Sequence, residues 1–332
     1  MQKNAFSVLL LLAFALTSCV TRPSEEESAW LFSYFTDQNS GLRLAYSYDG
    51  LTWTAIEKAD GTSFLTPVIG DDRLMRDPSI CQGPDGTFHL VWTSSWTDRI
   101  IGYASSTDLV HWSEQKAIPV MMHEAEAHNC WAPELYYDAP SETFYIFWAT
   151  TIPGRHGYVA ESENEQGNHR IYVTTTKDFQ TFTPTEMFFD QGFSAIDAAI
   201  VCDPRDGSLI MTVKNENPNP AEKNIRVCRR VSAADGQPVT TLAEGIWSPV
   251  SEPIHGNFWA EGPSPYFVGD TLYVIYDCYR DHRYGISRST DCGATWQCVD
   301  SLATFPRGIR HGTVFPVKKS FVEALAQRES WE

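Results

Sequence analysis

The feature that most constrains this chain is a repeat. Four segments open on a carboxylate or on a Trp-Ala-Pro-Glu run and continue into strand, turn and strand: Arg76-Asp77-Pro78-Ser79-Ile80, Trp131-Ala132-Pro133-Glu134-Leu135, Ala195-Ile196-Asp197-Ala198-Ala199 and Ala260-Glu261-Gly262-Pro263. They recur at intervals of roughly 50 to 70 residues, the period of a propeller blade. The innermost strands of a propeller all face one central channel. Acidic residues far apart in sequence are therefore expected to meet at one site.

A second signal repeats inside each unit, a Ser/Thr-x-Asp turn that ends in an aromatic: Ser47 and Asp49 before Trp53, Ser106 and Asp108 before Trp112, Thr176 and Asp178 before Phe182, Ser289 and Asp291 before Trp296. Each follows a β-rich stretch, so each closes a hairpin of outer strands. A degenerate fifth copy falls between Cys228 and Trp247, which makes five units. The first unit, Trp30 to Trp53, lacks an opening strand, whereas His311 to Val317 reads as an opening strand with nothing after it. Each end supplies what the other lacks. The chain is therefore expected to be all-β, a five-bladed β-propeller whose C-terminal inner strand pairs with N-terminal outer strands and closes the ring. Ser320 to Glu332 reads as a short helix packed on the outside.

Residues 1–19 read as a targeting segment: Lys3, an apolar run from Phe6 to Leu16, and Leu16-Thr17-Ser18-Cys19, which has the form of a bacterial lipobox with lipid on Cys19. Residues 20–29 then form an acidic linker and 30–332 the propeller, a soluble domain on a lipid anchor in the Gram-negative outer membrane, at its periplasmic or cell-surface face. The formal charge of −17 argues against nucleic acid, because no basic stripe exists to neutralise phosphates. Contact with the membrane is expected only through the anchor, and a monomer is expected. The 11 Trp and 14 Tyr offer flat faces for stacking on sugars as well as for the core. Cys81, Cys130 and Cys202 read as buried thiols. Cys292 and Cys298 flank one turn, and whether they pair is left open.

The ordered set of Arg76-Asp77-Pro78-Ser79-Ile80, Ser106-Thr107-Asp108 with Trp112, Trp131-Ala132-Pro133-Glu134, Ile196-Asp197 and Glu261-Gly262-Pro263 resembles glycoside hydrolase family 43 over essentially the whole mature chain. The resemblance implies an inverting glycosidase acting on α-L-arabinofuranosyl, β-D-xylosyl or related galactosyl linkages in an oligo- or polysaccharide. It implies Asp77 as general base, Asp197 as the residue that tunes and orients the acid, and Glu261 as general acid. The chemistry asks for these residue types independently: inversion needs one carboxylate to deprotonate water and a protonated carboxyl to meet the leaving oxygen, about 6.5 to 9.5 Å apart. Opposite walls of a channel suit that gap, and like-charge repulsion from Asp197 would hold Glu261 protonated.

Glu134 is the rival acid and is read as structural or substrate-contacting. Arg76, Trp96, Trp131, Trp259, Arg310 and His311 are expected at the substrate, with His128 and Asn129 at the rim and the loops Pro153 to His169 and Asn215 to Lys223 shaping the pocket. No cofactor is required. The resemblance leaves open a structural calcium in the central channel held by His311. Two alternatives remain beside the hydrolase: a non-catalytic glycan-binding propeller of an uptake system, and a five-bladed glycoside phosphorylase, which would need Arg, Lys and His gathered to hold phosphate.

Overall fold

A computed structural model describes residues 28–156, 168–217, 221–256 and 258–327. The targeting segment, Cys19 and most of the acidic linker lie outside the described residues. The chain lays down β1 (Ser28–Tyr34), β2 (Arg43–Ser47) and β3 (Thr54–Ile56). Then come β4 (Arg76–Gln82), β5 (Phe88–Thr93), β6 (Ile101–Ser106) and β7 (Lys116–Ile118), followed by β8 (Trp131–Asp138), β9 (Thr143–Thr150), β10 (Arg170–Thr176) and β11 (Glu186–Phe189). The last two sets are β12 (Ala195–Cys202), β13 (Leu209–Asn215), β14 (Asn224–Val231) and β15 (Ile246–Trp247), then β16 (Glu261–Val268), β17 (Thr271–Cys278), β18 (Arg283–Ser289) and β19 (Gln297–Cys298). A final strand, β20 (Thr313–Lys318), precedes the helix α1 (Lys319–Ala326).

These strands make five four-stranded antiparallel sheets, and β20 pairs with β1 in the order β20-β1-β2-β3. Trp30 lies opposite Pro316 and Ser33 opposite Thr313, so the ring closes between the two ends as the phase of the repeat requires. The linker boundary moves by two residues, because Ser28 and Ala29 already belong to β1 and Ala29 is fully buried. Closure buries Val314 and Phe315, each contributing about 1.5 to 3 kcal/mol. The helix seats Val322 and Leu325 on the same core, with Phe321 against Phe88. It ends at Ala326, so Arg328 lies outside the described residues.

Strand period two explains the core. On β9, Ile146 and Trp148 face one neighbouring sheet, whereas Phe147 and Ala149 face the other. Five such clusters fill the five inter-sheet gaps. The Asp turns are local devices: Asp49 Oδ1 accepts the Leu51 and Thr52 backbone N–H groups at 2.8 and 2.6 Å and the Ser47 hydroxyl at 2.9 Å. Asp108, Asp178 and Asp291 repeat the pattern. The degenerate copy lacks the turn, and its outer strand shrinks to two residues. Ser251, Ser248 and His255 side chains accept the Val227, Arg229 and Ile225 N–H groups there instead.

The cysteine reading needs correction. Cys130 is buried, but Cys81 is half-buried and Cys202 is exposed, because both sit at the far ends of opening strands that emerge from the core. Cys292 and Cys298 are both free thiols. Among the described residues no helix is long and apolar enough to cross a membrane.

Candidate active site

Four inner strands carry the same irregularity. The ladder slips between Arg76 and Ser79, Trp131 and Glu134, Ile196 and Ala199, and Glu261 and Ser264, and the second residue of each bulge has positive φ: Asp77 (53°), Ala132 (46°), Asp197 (52°) and Gly262 (57°). Pro78, Pro133 and Pro263 follow three of them, removing an N–H from the ladder and favouring the slip. Left-handed backbone at non-glycine residues is costly and concentrates where a site demands it. Here it turns Asp77 and Asp197 toward the ring axis. The bulges also separate the repeat into layers: Glu261 stands at the first position of its bulge, Asp77 and Asp197 at the second, and Glu134 at the fourth.

His311, which precedes β20, completes the second layer. Its Nδ1 lies 3.1 Å from Asp77 Oδ1, and Thr93 donates its hydroxyl to Asp77 Oδ2 at 2.8 Å. Burial alone would raise the Asp77 carboxyl; the His311 charge and hydrogen bond, with Arg76 and Thr93, outweigh it and bring it down to about 2. Burial likewise opposes the His311 imidazolium, but Asp197, Asp77 and Glu261 raise it to about 9. Asp197 is pushed up to about 6 by burial, against the pull of His311 and Lys214 and with repulsion from Glu261 and Asp77. It accepts the Gly262 N–H at 2.9 Å, which ties it to the residue next to Glu261. Gly262 has no substitute, since a Cβ there would stand 2.3 Å from the His311 ring.

Glu261 lies between two cations, Lys214 Nζ at 3.3 Å and Arg310 Nη2 at 3.4 Å. Each cation has its own anchor. Lys214 is 2% exposed and pairs with Glu216 at 2.6 Å, which Lys223 holds from its other side, while Arg310 Nε donates to Asp277 Oδ2 at 2.5 Å. Burial, with Glu261 nearby, raises Asp277 to about 6 in spite of Arg310. Glu134 is buried as well, with Thr313 Oγ1 at 2.8 and 3.1 Å from its two oxygens.

The sequence reading foresaw neither Lys214, Glu216 nor Asp277. A signal existed: Lys214 and Asp277 are the charged residues of the largely apolar strands β13 and β17, and a buried charge is costly without a partner. Their pairing opposite Ile196 and Glu261 depends on the bulges, which a repeat reading does not place.

The aromatic residues lie beside this cluster. Trp131 stacks on His169 at 5.1 Å, meets Trp96 edge to face at 5.9 Å and donates Nε1 to the Trp96 carbonyl at 2.9 Å. Burial holds His169 down to about 4. Arg76 lies over Trp96, and Arg280 lies 3.7 Å from the Trp259 ring centre. His128 is exposed, whereas Asn129 is buried and accepts the Thr151 N–H at 3.0 Å, a structural duty. Parts of the two rim loops, 157–167 and 218–220, lie outside the described residues.

Among the described residues no three or more His, Cys, Asp or Glu are gathered to hold a metal ion beside His311. A cavity of about 580 Å³ lies elsewhere, on the flank between Phe188 on β11 and Trp247 on β15.

Comparison with known proteins bears on what this arrangement does. A family model described as a probable glycosyl hydrolase domain, related to glycoside hydrolase family 43, matches residues 25–323. An α-L-arabinofuranosidase from Bifidobacterium longum subsp. longum is 26% identical over 213 residues, 54% of this chain. The chain spans about a fifth of that relative, whose match covers 19% of its length. Among solved structures, a thermostable family-43 glycoside hydrolase aligns with a TM-score of 0.49 and 19% identity over 67% of this chain and 71% of its own. The Bacteroides ovatus Xyloglucan PUL GH43B protein aligns at 0.47 and 20% over 70% and 41%.

Proposed function

The chain belongs to the family 43-related glycosyl hydrolases, and from that premise we propose that it hydrolyses α-L-arabinofuranosyl, β-D-xylosyl or related galactosyl linkages with inversion at the anomeric carbon. The observation that carries this reading is the state of Asp77. It is a buried carboxylate 3.1 Å from the His311 ring nitrogen and 2.8 Å from the Thr93 hydroxyl, and despite its burial the His311 charge holds it well below the usual carboxylate range. The base role follows: Asp77 takes the proton of a water poised at the anomeric carbon, and His311 keeps that carboxylate charged and aimed.

Glu261 is the acid of the proposal. It stands on β16, separated from β4 by β20 around the ring, and protonates the leaving oxygen. Asp197 is tied to the next residue through the Gly262 N–H, and the Lys214 and Arg310 ion pairs hold the Glu261 carboxyl in place until substrate enters. Hydrogen bonds of this kind often tighten only in the substrate complex. Lys214, Arg310 and His311 are each engaged by a carboxylate, so the cations gathered at Glu261 and Asp77 are not free to hold phosphate; Arg76 alone of the basic residues expected at the substrate has no such pair among the described residues. We further propose that the domain is carried on a lipid at Cys19 at the outer membrane. Release of Cys19→Ala protein from the membrane fraction would support that, and unchanged retention would overturn it.

The experiment for the activity is a panel of 4-nitrophenyl α-L-arabinofuranoside, β-D-xyloside and β-D-galactoside, with Asp77→Asn as control. Release from one of the three that the variant abolishes is expected. Release from none, together with no hydrolysis of arabinan, xylan or galactan, would overturn it.

A further inference from the structure

Two arginines beside the candidate site have the same unusual surroundings. The Arg76 guanidinium lies between two rings, 4.8 Å from the centre of Phe35 and 4.7 Å from that of Trp96. The Arg280 guanidinium lies over Trp259 at 3.7 Å. Neither guanidinium has a hydrogen-bonding or ion-pair partner among the described residues. In a chain with 42 acidic and 25 basic residues, an arginine beside such a cluster of carboxylates would ordinarily pair with one. Arg310 does, twice.

The placement is specific as well. Arg76 is the neighbour of Asp77 and acts on its charge. Trp259 stands two residues before Glu261, and Arg280 three residues after Asp277, the residue opposite Glu261 in the ladder. One Arg–Trp pair therefore flanks the base side of the site and the other the acid side. Stacking on an aromatic ring fixes a guanidinium plane and occupies its face, leaving the in-plane N–H fork directed outward. That fork matches a planar carboxylate with two parallel hydrogen bonds better than it matches a scattered set of hydroxyls.

We propose that the two Arg–Trp pairs recognise uronic acid carboxylates, so that the substrate is an acidic glycan in which the scissile neutral sugar is attached to or neighboured by uronate residues. The inference rests on the glycosidase reading above and names the substrate class of that same site. The net charge of −17 does not forbid it. At physiological ionic strength charges are screened beyond about 8 Å, and neither guanidinium is held in a hydrogen bond or ion pair that an incoming carboxylate would have to displace, although Arg76 also acts on the charge of Asp77.

The test compares an oligosaccharide bearing the scissile sugar on a uronate backbone with the same oligosaccharide after reduction of each carboxyl to a primary alcohol, which removes charge and leaves every linkage. The expected ratio of kcat/KM is about tenfold or more in favour of the acidic form, as charge-assisted bidentate contacts imply, and Arg76→Gln and Arg280→Gln should each lower the ratio. Arg280 is exposed, so its variant keeps the test open should Arg76→Gln fail to fold. A wild-type ratio near one overturns the inference and leaves the glycosidase reading intact. If neither oligosaccharide is cleaved, affinity electrophoresis through polygalacturonate and through its carboxyl-reduced form decides recognition alone: retardation by the first only supports it, and equal mobility overturns it. Equal retardation by dextran sulfate would also overturn it, since that result reports attraction to any anion.

Discussion

Thr313, on the last strand, places its hydroxyl 2.8 and 3.1 Å from the two oxygens of Glu134, across a ring in which β4 stands between their strands. This bond ties the ring-closing strand to the far side of the channel. Burial pushes the Glu134 carboxyl up to about 7 from its ordinary 4.5, against the pull of Thr313 and His311. A carboxyl raised in the folded state favours folding at low pH. That contribution is complete below pH 4.5 and is lost as pH rises to 7, at about 1.4 kcal/mol per unit, so about 3 kcal/mol in all. Glu134→Gln should remove that slope. Urea unfolding at pH 5 and pH 7 should show a smaller loss for the variant than for wild type, and identical losses would show that Glu134 does not titrate there.

Gly262→Ala should injure the site without replacing a charged group. Positive φ at an alanine costs about 1 to 3 kcal/mol, and the added methyl stands 2.3 Å from the His311 ring, so the imidazole must retreat from Asp77. Without that partner the Asp77 carboxyl rises from about 2. The acid limb of the kcat/KM profile should then move to higher pH. An acid limb at the wild-type position would mean that His311 does not set the state of Asp77.

The fold was legible for a local reason. Turn chemistry such as Ser47 with Asp49 is written within a few residues, and the complementary half-units at the ends fixed how β1 and β20 pair. Asp197 was legible because a lone carboxylate stands out in an apolar strand. The layering was not, because a bulge adds one residue to a strand without a composition of its own. Glu134 and Glu261 look like rival acids in the repeat, yet the bulges set them at the fourth and first positions, and the slip between Ile196 and Ala199 sets Lys214 opposite Ile196 and within 3.3 Å of Glu261. Cys202 misled because an opening strand is buried only along part of its length.

Asp77→Asn and Glu261→Gln should each lower kcat by about 100-fold or more, as loss of a general base or acid does, with folding intact. The two losses should differ by leaving group. Glu261→Gln should be mildest on dinitrophenyl glycosides, whose leaving group departs without a proton, while Asp77→Asn should be equally severe on all. If Glu134→Gln showed the leaving-group dependence and Glu261→Gln did not, the acid would have to be Glu134.

The stereochemical outcome follows from which strands carry the two carboxylates. Asp77 and Glu261 stand on β4 and β16, non-adjacent inner strands with β20 between them, and His311 occupies the intervening position against Asp77. A retaining mechanism needs its carboxyls only about 5 to 5.5 Å apart, so that one can attack carbon directly, whereas inversion needs room for a water. With the base on the far side of a blade, water is the expected nucleophile. The first-formed sugar should have the anomeric configuration opposite to the substrate, and no glycosyl-enzyme should accumulate. Proton NMR of the anomeric signal in the first minutes of turnover, before mutarotation mixes the anomers, reads this directly. A retained configuration would remove Asp77 from the base role, because a carboxylate that attacks carbon leaves no first-step water to deprotonate.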